Sequence, residues 1–119
     1  MKKILIVDDQ PGIRLLLNEL FKKEKYMPHL AANGMEALKI FDEEPIDCVL
    51  LDMKIPGMNG IEILEQLKAK NERIPVIMMT AYGEQELIDE AMQLGASRYF
   101  TKPFNIFEVL NEVNSILKV

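Results

Sequence analysis

The stretch Cys48-Val49-Leu50-Leu51-Asp52-Met53-Lys54-Ile55-Pro56-Gly57-Met58-Asn59-Gly60 decides how this chain folds. Its first four residues form a continuous apolar run, which is typical of a parallel strand covered on both faces. Asp52 ends the run, and Pro56, Gly57 and Gly60 interrupt regular structure after it. Because ligands bind at the carboxyl ends of the strands in open α/β sheets, Asp52 is predicted to lie at a ligand-binding edge.

Each of the other predicted strands is also a short apolar run. The second run contains Pro28, which has no N–H to donate and therefore predicts a strand at the edge of the sheet. A helical pattern follows every run, and the buried stripe of the first helix takes in Leu16 and Leu17 but leaves out Leu15. Five strands alternating with five helices predict one doubly wound α/β domain over residues 1–119, a (βα)5 three-layer sandwich with parallel sheet order 2-1-3-4-5. The predicted strands cover residues 3–7, 26–30, 47–52, 74–79 and 97–101.

Composition narrows the classes of function. The 119 residues suffice for one hydrophobic core, and no apolar run approaches the ~18 residues that a membrane span needs. The apolar segment after Lys3 is too short for a secretory signal, so we expect a cytoplasmic protein without membrane contact. A net charge of −5 argues against nucleic acid as a partner, because sequence-independent binding depends on Lys and Arg. The single Cys48 cannot form an internal disulfide and is expected to be buried.

Three carboxylates are predicted to meet at one edge of the sheet. The first and third strands are neighbours in the predicted order, which brings Asp8, Asp9 and Asp52 together. Two unit charges ~4 Å apart repel by about 4 kcal/mol at an effective dielectric near 20, so the cluster needs either raised pKa values or a bound cation. Mg²⁺ suits a half-open acidic crevice, because it keeps several waters and takes one or two carboxylates together with phosphate oxygens. The backbone carbonyl of Lys54 is a further candidate ligand, and Mn²⁺ is an alternative ion.

A hydroxyl and an ammonium are predicted at the same edge, because the fourth and fifth strands end at Thr80 and Lys102. A metal ion and Lys102 would neutralise the oxygens of a transferring phosphoryl group, while Thr80 donates a hydrogen bond. Asp52 would then attack as the nucleophile and form an acyl phosphate. Each residue alone is more often structural, since strand-end aspartates commonly cap helices or form turns. Their convergence favours phosphoryl transfer, and the bond from Lys102 to Pro103 is a candidate cis peptide.

With these motifs, the chain resembles the receiver domain of two-component response regulators over essentially its whole length. The resemblance implies a flavodoxin-like fold, Mg²⁺ as cofactor and reversible phosphorylation. Tyr99 matches the aromatic switch position of that family, but it could equally be an ordinary amphipathic strand residue. The positions that match the motifs of that family are Asp8 and Asp9 for the acidic metal pair, Asp52 for the phosphoacceptor, Lys54 for the carbonyl ligand, Thr80 for the switch hydroxyl, Tyr99 for the aromatic switch and Lys102 for the phosphate-binding lysine.

Longer stretches of the sequence are similar to single-domain regulators of bacterial sporulation phosphorelays. This similarity implies that Asp52 accepts a phosphoryl group from a sensor histidine kinase and that the group passes to a histidine phosphotransferase. An aspartyl-phosphate phosphatase is a further expected partner, and a monomer is the expected state. Two residues depart from the pattern, because Pro11 stands where an aromatic residue is expected and Tyr99 where a histidine is expected. The matches lie at residues 7–10, 12–14, 50–58, 60–64 and 79–84.

No output module follows the fifth helix in this sequence, so we expect the chain to act by contact with other proteins. Two other functions stay open. One is a stand-alone receiver that binds a target protein when phosphorylated and does not pass the phosphate on. The other is a small Mg²⁺-dependent phosphatase with an aspartyl nucleophile, which is less favoured because the chain leaves little room for a substrate pocket. The candidate partner-binding residues are Gln10, Ile13, Arg14, Leu15, Lys54, Tyr82 and Phe104.

Overall fold

The computed structural model describes residues 1–81 and 83–118, in which strands and helices alternate. The strands are β1 (Lys3–Val7), β2 (Met27–Ala31), β3 (Cys48–Asp52), β4 (Val76–Thr80) and β5 (Arg98–Thr101). The helices are α1 (Pro11–Lys23), α2 (Gly34–Glu43), α3 (Gly60–Lys70), α4 (Gln85–Gln93) and α5 (Ile106–Leu117). This is the (βα)5 alternation that the hydrophobic pattern predicts.

The five strands form one parallel sheet in the order β2-β1-β3-β4-β5, as predicted. Pro28 lies on β2 at the edge of the sheet, where its missing N–H costs no ladder bond. β4 begins two residues later than predicted. The Ile74 N–H closes a turn on the Asn71 carbonyl at 3.2 Å, and Pro75 has no N–H, so the ladder begins at Val76.

The sheet separates two apolar layers, because alternate side chains of each strand point to opposite faces. In β1, Leu5 and Val7 pack with α2, α3 and α4, whereas Ile4 and Ile6 pack with α1 and α5. The residues of β1 after Lys3 and all of β3 and β4 are buried, as continuous apolar runs predict. Cys48 is buried as expected, and this burial raises the pKa of its thiol to about 12.

The first helix corrects one expectation. Leu15 lies outside the buried stripe as predicted and is 60% exposed, but Leu16 is also 51% exposed. Leu16 lines an open groove beside Ile106 of α5, because the space between the two helices is not filled at this point. The buried stripe of α1 is therefore narrower than its periodicity predicts. Among the described residues, none of the helices is both long and apolar enough to span a membrane.

Candidate functional site at the carboxyl end of the sheet

Three carboxylates meet where β1 and β3 end. Val7 pairs with Leu51 in the sheet, so Asp8 follows one strand beside the position where Asp52 ends the other. One carboxylate oxygen from each of Asp8, Asp9 and Asp52 lies within 4.8 Å of the others. Asp8 is fully buried and Asp52 is 5% exposed, whereas Asp9 faces solvent. The predicted acidic cluster is thus formed and is open on the side of Asp9.

One ammonium group lies between the two buried acids. Lys102 Nζ is 3.1 Å from Asp8 Oδ2 and 3.2 Å from Asp52 Oδ2, and it donates to Gln10 Oε1 at 3.2 Å. The peptide bond between Lys102 and Pro103 is cis, as predicted. One positive charge therefore compensates only part of the negative charge of the two buried acids, and the exposed Asp9 lies close by.

The charge of Asp52 is costly in this environment. Burial and then the nearby charge of Asp8 raise the pKa of the Asp52 carboxyl from 3.8 to about 6. The Lys54 backbone N–H, which donates to Asp52 Oδ1 at 3.2 Å, and Lys102 act in the opposite direction. Near neutral pH the group is an anion with little solvation. A hard divalent cation fits the all-oxygen donor set, because it would replace that missing solvation.

Hydrogen bonds outside the cluster orient Asp8. Its Oδ1 accepts from the Gln10 backbone N–H at 2.9 Å, and its backbone carbonyl accepts from Arg14 Nη1 at 2.6 Å. Both donors belong to the predicted partner-binding set. These bonds hold the start of α1 against the acidic site. Gln10 and Arg14 therefore have a structural role in addition to any contact with a partner.

The backbone after Asp52 is held by a close approach of α3. A Cβ atom on Gly60 would lie 2.5 Å from Met53 Cα and 3.0 Å from the Asp52 carbonyl oxygen, so only glycine fits there. The Gly60 N–H donates to the Met53 carbonyl at 2.9 Å, and Asn59 caps the helix by accepting from the Glu62 N–H at 3.0 Å. These bonds fix the β3–α3 loop, residues 53–59, beside the acidic cluster.

The two predicted switch residues lie on the neighbouring strands β4 and β5. Thr80 is buried at the end of β4, and its hydroxyl donates to the Ala81 carbonyl at 3.3 Å. Its own carbonyl accepts from the Lys102 backbone N–H at 2.7 Å, which links β4 to the lysine. Tyr99 is 39% exposed on β5. The predicted partner residue Tyr82 lies outside the described residues.

An apolar groove of about 400 Å³ opens beside Lys102. Two predicted partner residues, Ile13 and Phe104, line it and are half-buried. Leu16 also lines this groove, and sequence reasoning missed it because its periodicity assigned it to the core. Leu15 is the most exposed apolar residue of α1. The residues lining the groove are Gln10, Ile13, Leu16, Leu17, Lys102, Pro103, Phe104 and Ile106.

Glu84 is the second residue that sequence reasoning missed. Its Oε1 lies 2.5 Å from Lys54 Nζ, so an ion pair joins the β3–α3 loop to the start of α4. An acidic residue just before a helix ordinarily indicates an N-cap, and nothing in the sequence pairs it with Lys54. Only the folded arrangement of the two loops brings the charges together.

Comparison with known proteins agrees with this geometry. The family described as response regulator receiver domain matches residues 4–114. Sporulation initiation phosphotransferase F of Bacillus subtilis (strain 168) is 58% identical over 116 residues, which cover 98% of this chain and 94% of that protein. The family match spans every position discussed at the site.

Solved structures extend the agreement to the fold. A CheY-like response regulator receiver domain protein from Methanospirillum hungatei JF-1 has a TM-score of 0.95 and 31% identity, covering 99% of this chain and 94% of that one. The response regulator protein TrrA from Thermotoga maritima, solved in complex with Mg(2+)-BeF, has a TM-score of 0.87 and 38% identity over 98% of this chain and 99% of that one. The flavodoxin-like fold is therefore confirmed, and the chain belongs to the response regulator receiver domain family.

Proposed function

We propose that this chain carries a phosphoryl group on Asp52 within a phosphorelay that controls sporulation initiation. The group comes from the phosphohistidine of a sensor histidine kinase and goes to a histidine phosphotransferase. The observation that carries this proposal is the contact of Lys102 Nζ with both Asp8 and Asp52 at an open acidic edge. The 58% identity to sporulation initiation phosphotransferase F supports the same role.

Asp8, Asp9 and Asp52 would hold Mg²⁺, with the backbone carbonyl of Lys54 as a further ligand and Mn²⁺ as an alternative ion. The ion supplies positive charge that stabilises the transferring phosphoryl group when it is bound. The donor set supports this role, since all three side chains offer hard oxygen ligands and one of them is solvent-exposed.

Asp52 acts as the nucleophile. Its carboxylate oxygen forms a bond to phosphorus as the bond from phosphorus to the donor imidazole nitrogen breaks, and the electron pair stays on the imidazole. Reversal of the same step on another imidazole passes the group on. Lys102 Nζ, 3.2 Å from Asp52 Oδ2, is placed to bind a phosphoryl oxygen. Among the described residues, the Thr80 hydroxyl makes a long 3.3 Å bond, which it could exchange for one to a phosphoryl oxygen.

The partner protein would dock beside this edge. The apolar groove at Ile13 and Phe104 reaches Lys102, and Leu15 presents an exposed apolar side chain on the same helix. A helix that carries the reacting histidine needs such an apolar surface next to the nucleophile. Pro11 begins α1 without a backbone N–H and occupies the position where similar regulators are expected to have an aromatic ring. The proposed contact residues are Gln10, Ile13, Arg14, Leu15, Lys54, Tyr82 and Phe104.

Phosphorylation of the intact chain tests the proposal. Incubation with Mg²⁺ and a small acyl-phosphate donor should add one phosphoryl group that hydroxylamine removes, as measured by intact mass. Asp52→Asn should abolish the adduct, whereas Asp42→Asn, at an exposed carboxylate on α2, should leave it unchanged. An adduct that survives Asp52→Asn would refute the assignment.

Onward transfer is tested with the phosphorylated chain. A purified histidine phosphotransferase should remove the phosphoryl group from Asp52 and acquire it on histidine. Retention of the group on Asp52 in the presence of a competent phosphotransferase would instead indicate a stand-alone receiver that acts by binding its target.

A further inference from the structure

We propose that Glu84 is a positioning residue for the cation site, and that it acts by holding and neutralising the ammonium group of Lys54. This inference rests on the proposed function, because it concerns the Mg²⁺ site at Asp8, Asp9 and Asp52. It assigns Glu84 a role that neither its sequence pattern nor its position at the start of a helix indicates.

The ion pair spans a cleft beside the acidic cluster. A cavity of about 430 Å³ has Asp9 and Lys54 on its walls together with Leu87 of α4. Lys54 lies on the β3–α3 loop, and Glu84 is the residue immediately before α4. The 2.5 Å contact between their charged atoms therefore joins one wall of the cleft to the residue before α4.

The pair is unequal in exposure. The Lys54 side chain is 65% exposed, whereas the Glu84 side chain is 18% exposed. An exposed ion pair of this kind contributes little to stability, so its effect lies in where it places the lysine charge. The side chain of Glu84 caps no backbone N–H of α4 among the described residues, which separates its role from ordinary helix capping.

The backbone of Lys54 is part of the acidic site. Its N–H donates to Asp52 Oδ1 at 3.2 Å, so the ammonium group is carried by a residue in direct contact with the nucleophile. Without Glu84, that exposed ammonium would be free to approach the three carboxylates. It would then compete with a divalent cation for the same negative charge. Glu84 prevents this competition by keeping the ammonium on the far side of the cleft.

The test is a double-mutant cycle read by Mg²⁺ affinity. We expect Glu84→Gln to weaken Mg²⁺ binding about two- to fivefold, which is the range for a partly exposed charge pair. Lys54→Met removes the competing ammonium but keeps the backbone groups. In the Lys54→Met background, Glu84→Gln should therefore weaken binding much less. Calorimetric titration of the intact chain with MgCl₂ gives the four affinities, and metal-free melting curves show that each variant is folded.

The matched control is Glu86→Gln, which removes an exposed negative charge two residues further along the chain. It should change Mg²⁺ affinity by less than twofold, because an exposed charge is screened by solvent and salt. Equal weakening by Glu84→Gln in both Lys54 backgrounds, or equal effects of Glu84→Gln and Glu86→Gln, would overturn this inference alone. Absence of Mg²⁺ binding by the unsubstituted chain would overturn the proposed site and the inference with it.

Discussion

The charged side chains at the two ends of the sheet have different kinds of partner. At the carboxyl end, the buried Asp8 and Asp52 share the single ammonium of Lys102. At the amino end, two charged side chains bond instead to backbone groups. Asp47 Oδ2 accepts from the Lys3 N–H at 2.7 Å, and Lys68 Nζ donates to two carbonyl oxygens of the α3–β4 loop at 2.8 and 3.3 Å.

This difference separates stability from function within one sheet. Balanced polar groups at the amino end close the connections and hold the strands together. The carboxyl end keeps an excess of negative charge, which costs stability in the absence of metal but offers oxygen ligands to a cation. Three substitutions test this contrast.

Gly60→Ala should have the largest effect. The added methyl group would overlap the backbone of Met53, which cannot move without displacing Asp52. We expect a loss of about 2–4 kcal/mol in the free energy of unfolding, measured by urea denaturation. Gly12→Ala on α1 is the control, since no described heavy atom lies within 4 Å of its added Cβ and alanine favours helix, so it should gain up to about 1 kcal/mol. Equal stability of the two variants would show that the close approach at Gly60 is not required.

Asp52→Asn should stabilise the metal-free fold. The folded-state pKa of Asp52 is raised to about 6, so the folded state binds more protons than the unfolded state between about pH 4 and pH 6. Stability from this group is therefore present below about pH 4 and is lost as the pH rises through about 6. Asparagine avoids that loss, and we expect a gain of about 1–2 kcal/mol at pH 8 in EDTA that disappears at pH 4.

The measurement is denaturation of both proteins at each pH, with and without Mg²⁺. Added Mg²⁺ should stabilise the unsubstituted chain more than the variant, because the ion binds the folded carboxylate. A destabilised Asp52→Asn variant at pH 8 in EDTA would contradict the view that this end of the sheet is electrostatically strained.

Lys68→Met should have the smallest effect on stability and, unlike Asp52→Asn, should destabilise the fold. Methionine keeps the apolar stem but removes the donor to the Ile74 and Glu72 carbonyls, and we expect a loss of about 1 kcal/mol by urea denaturation. Burial lowers the pKa of Lys68, so the fold disfavours its charge, and removal of that charge offsets part of the loss. Lys70→Met, at an exposed ion pair with Asp42, should change stability by under about 0.5 kcal/mol. The Mg²⁺ response should be unchanged in both variants, since an altered response would link the two ends of the sheet.

Sequence patterns predicted most of the fold and the meeting of the three acids at one edge of the sheet. Apolar runs that stop at Asp8, Asp52 and Thr80 predict buried parallel strands, and Pro28 predicts the edge strand that sets the order of the sheet. These predictions succeed because strand burial and proline geometry are local properties of the chain. Convergence of the acids then follows from topology, because parallel strands all end at one edge.

Only the tertiary structure decided the contacts between loops and between helices. The ion pair of Glu84 with Lys54, the close approach of Gly60 to Met53 and the exposure of Leu16 each depend on how two separate segments meet. Periodicity places Leu16 on the inner face of α1, but the width of the groove beside α5 leaves it open to solvent. Local sequence carries no information on such distances, because they result from the packing of the whole core around the sheet.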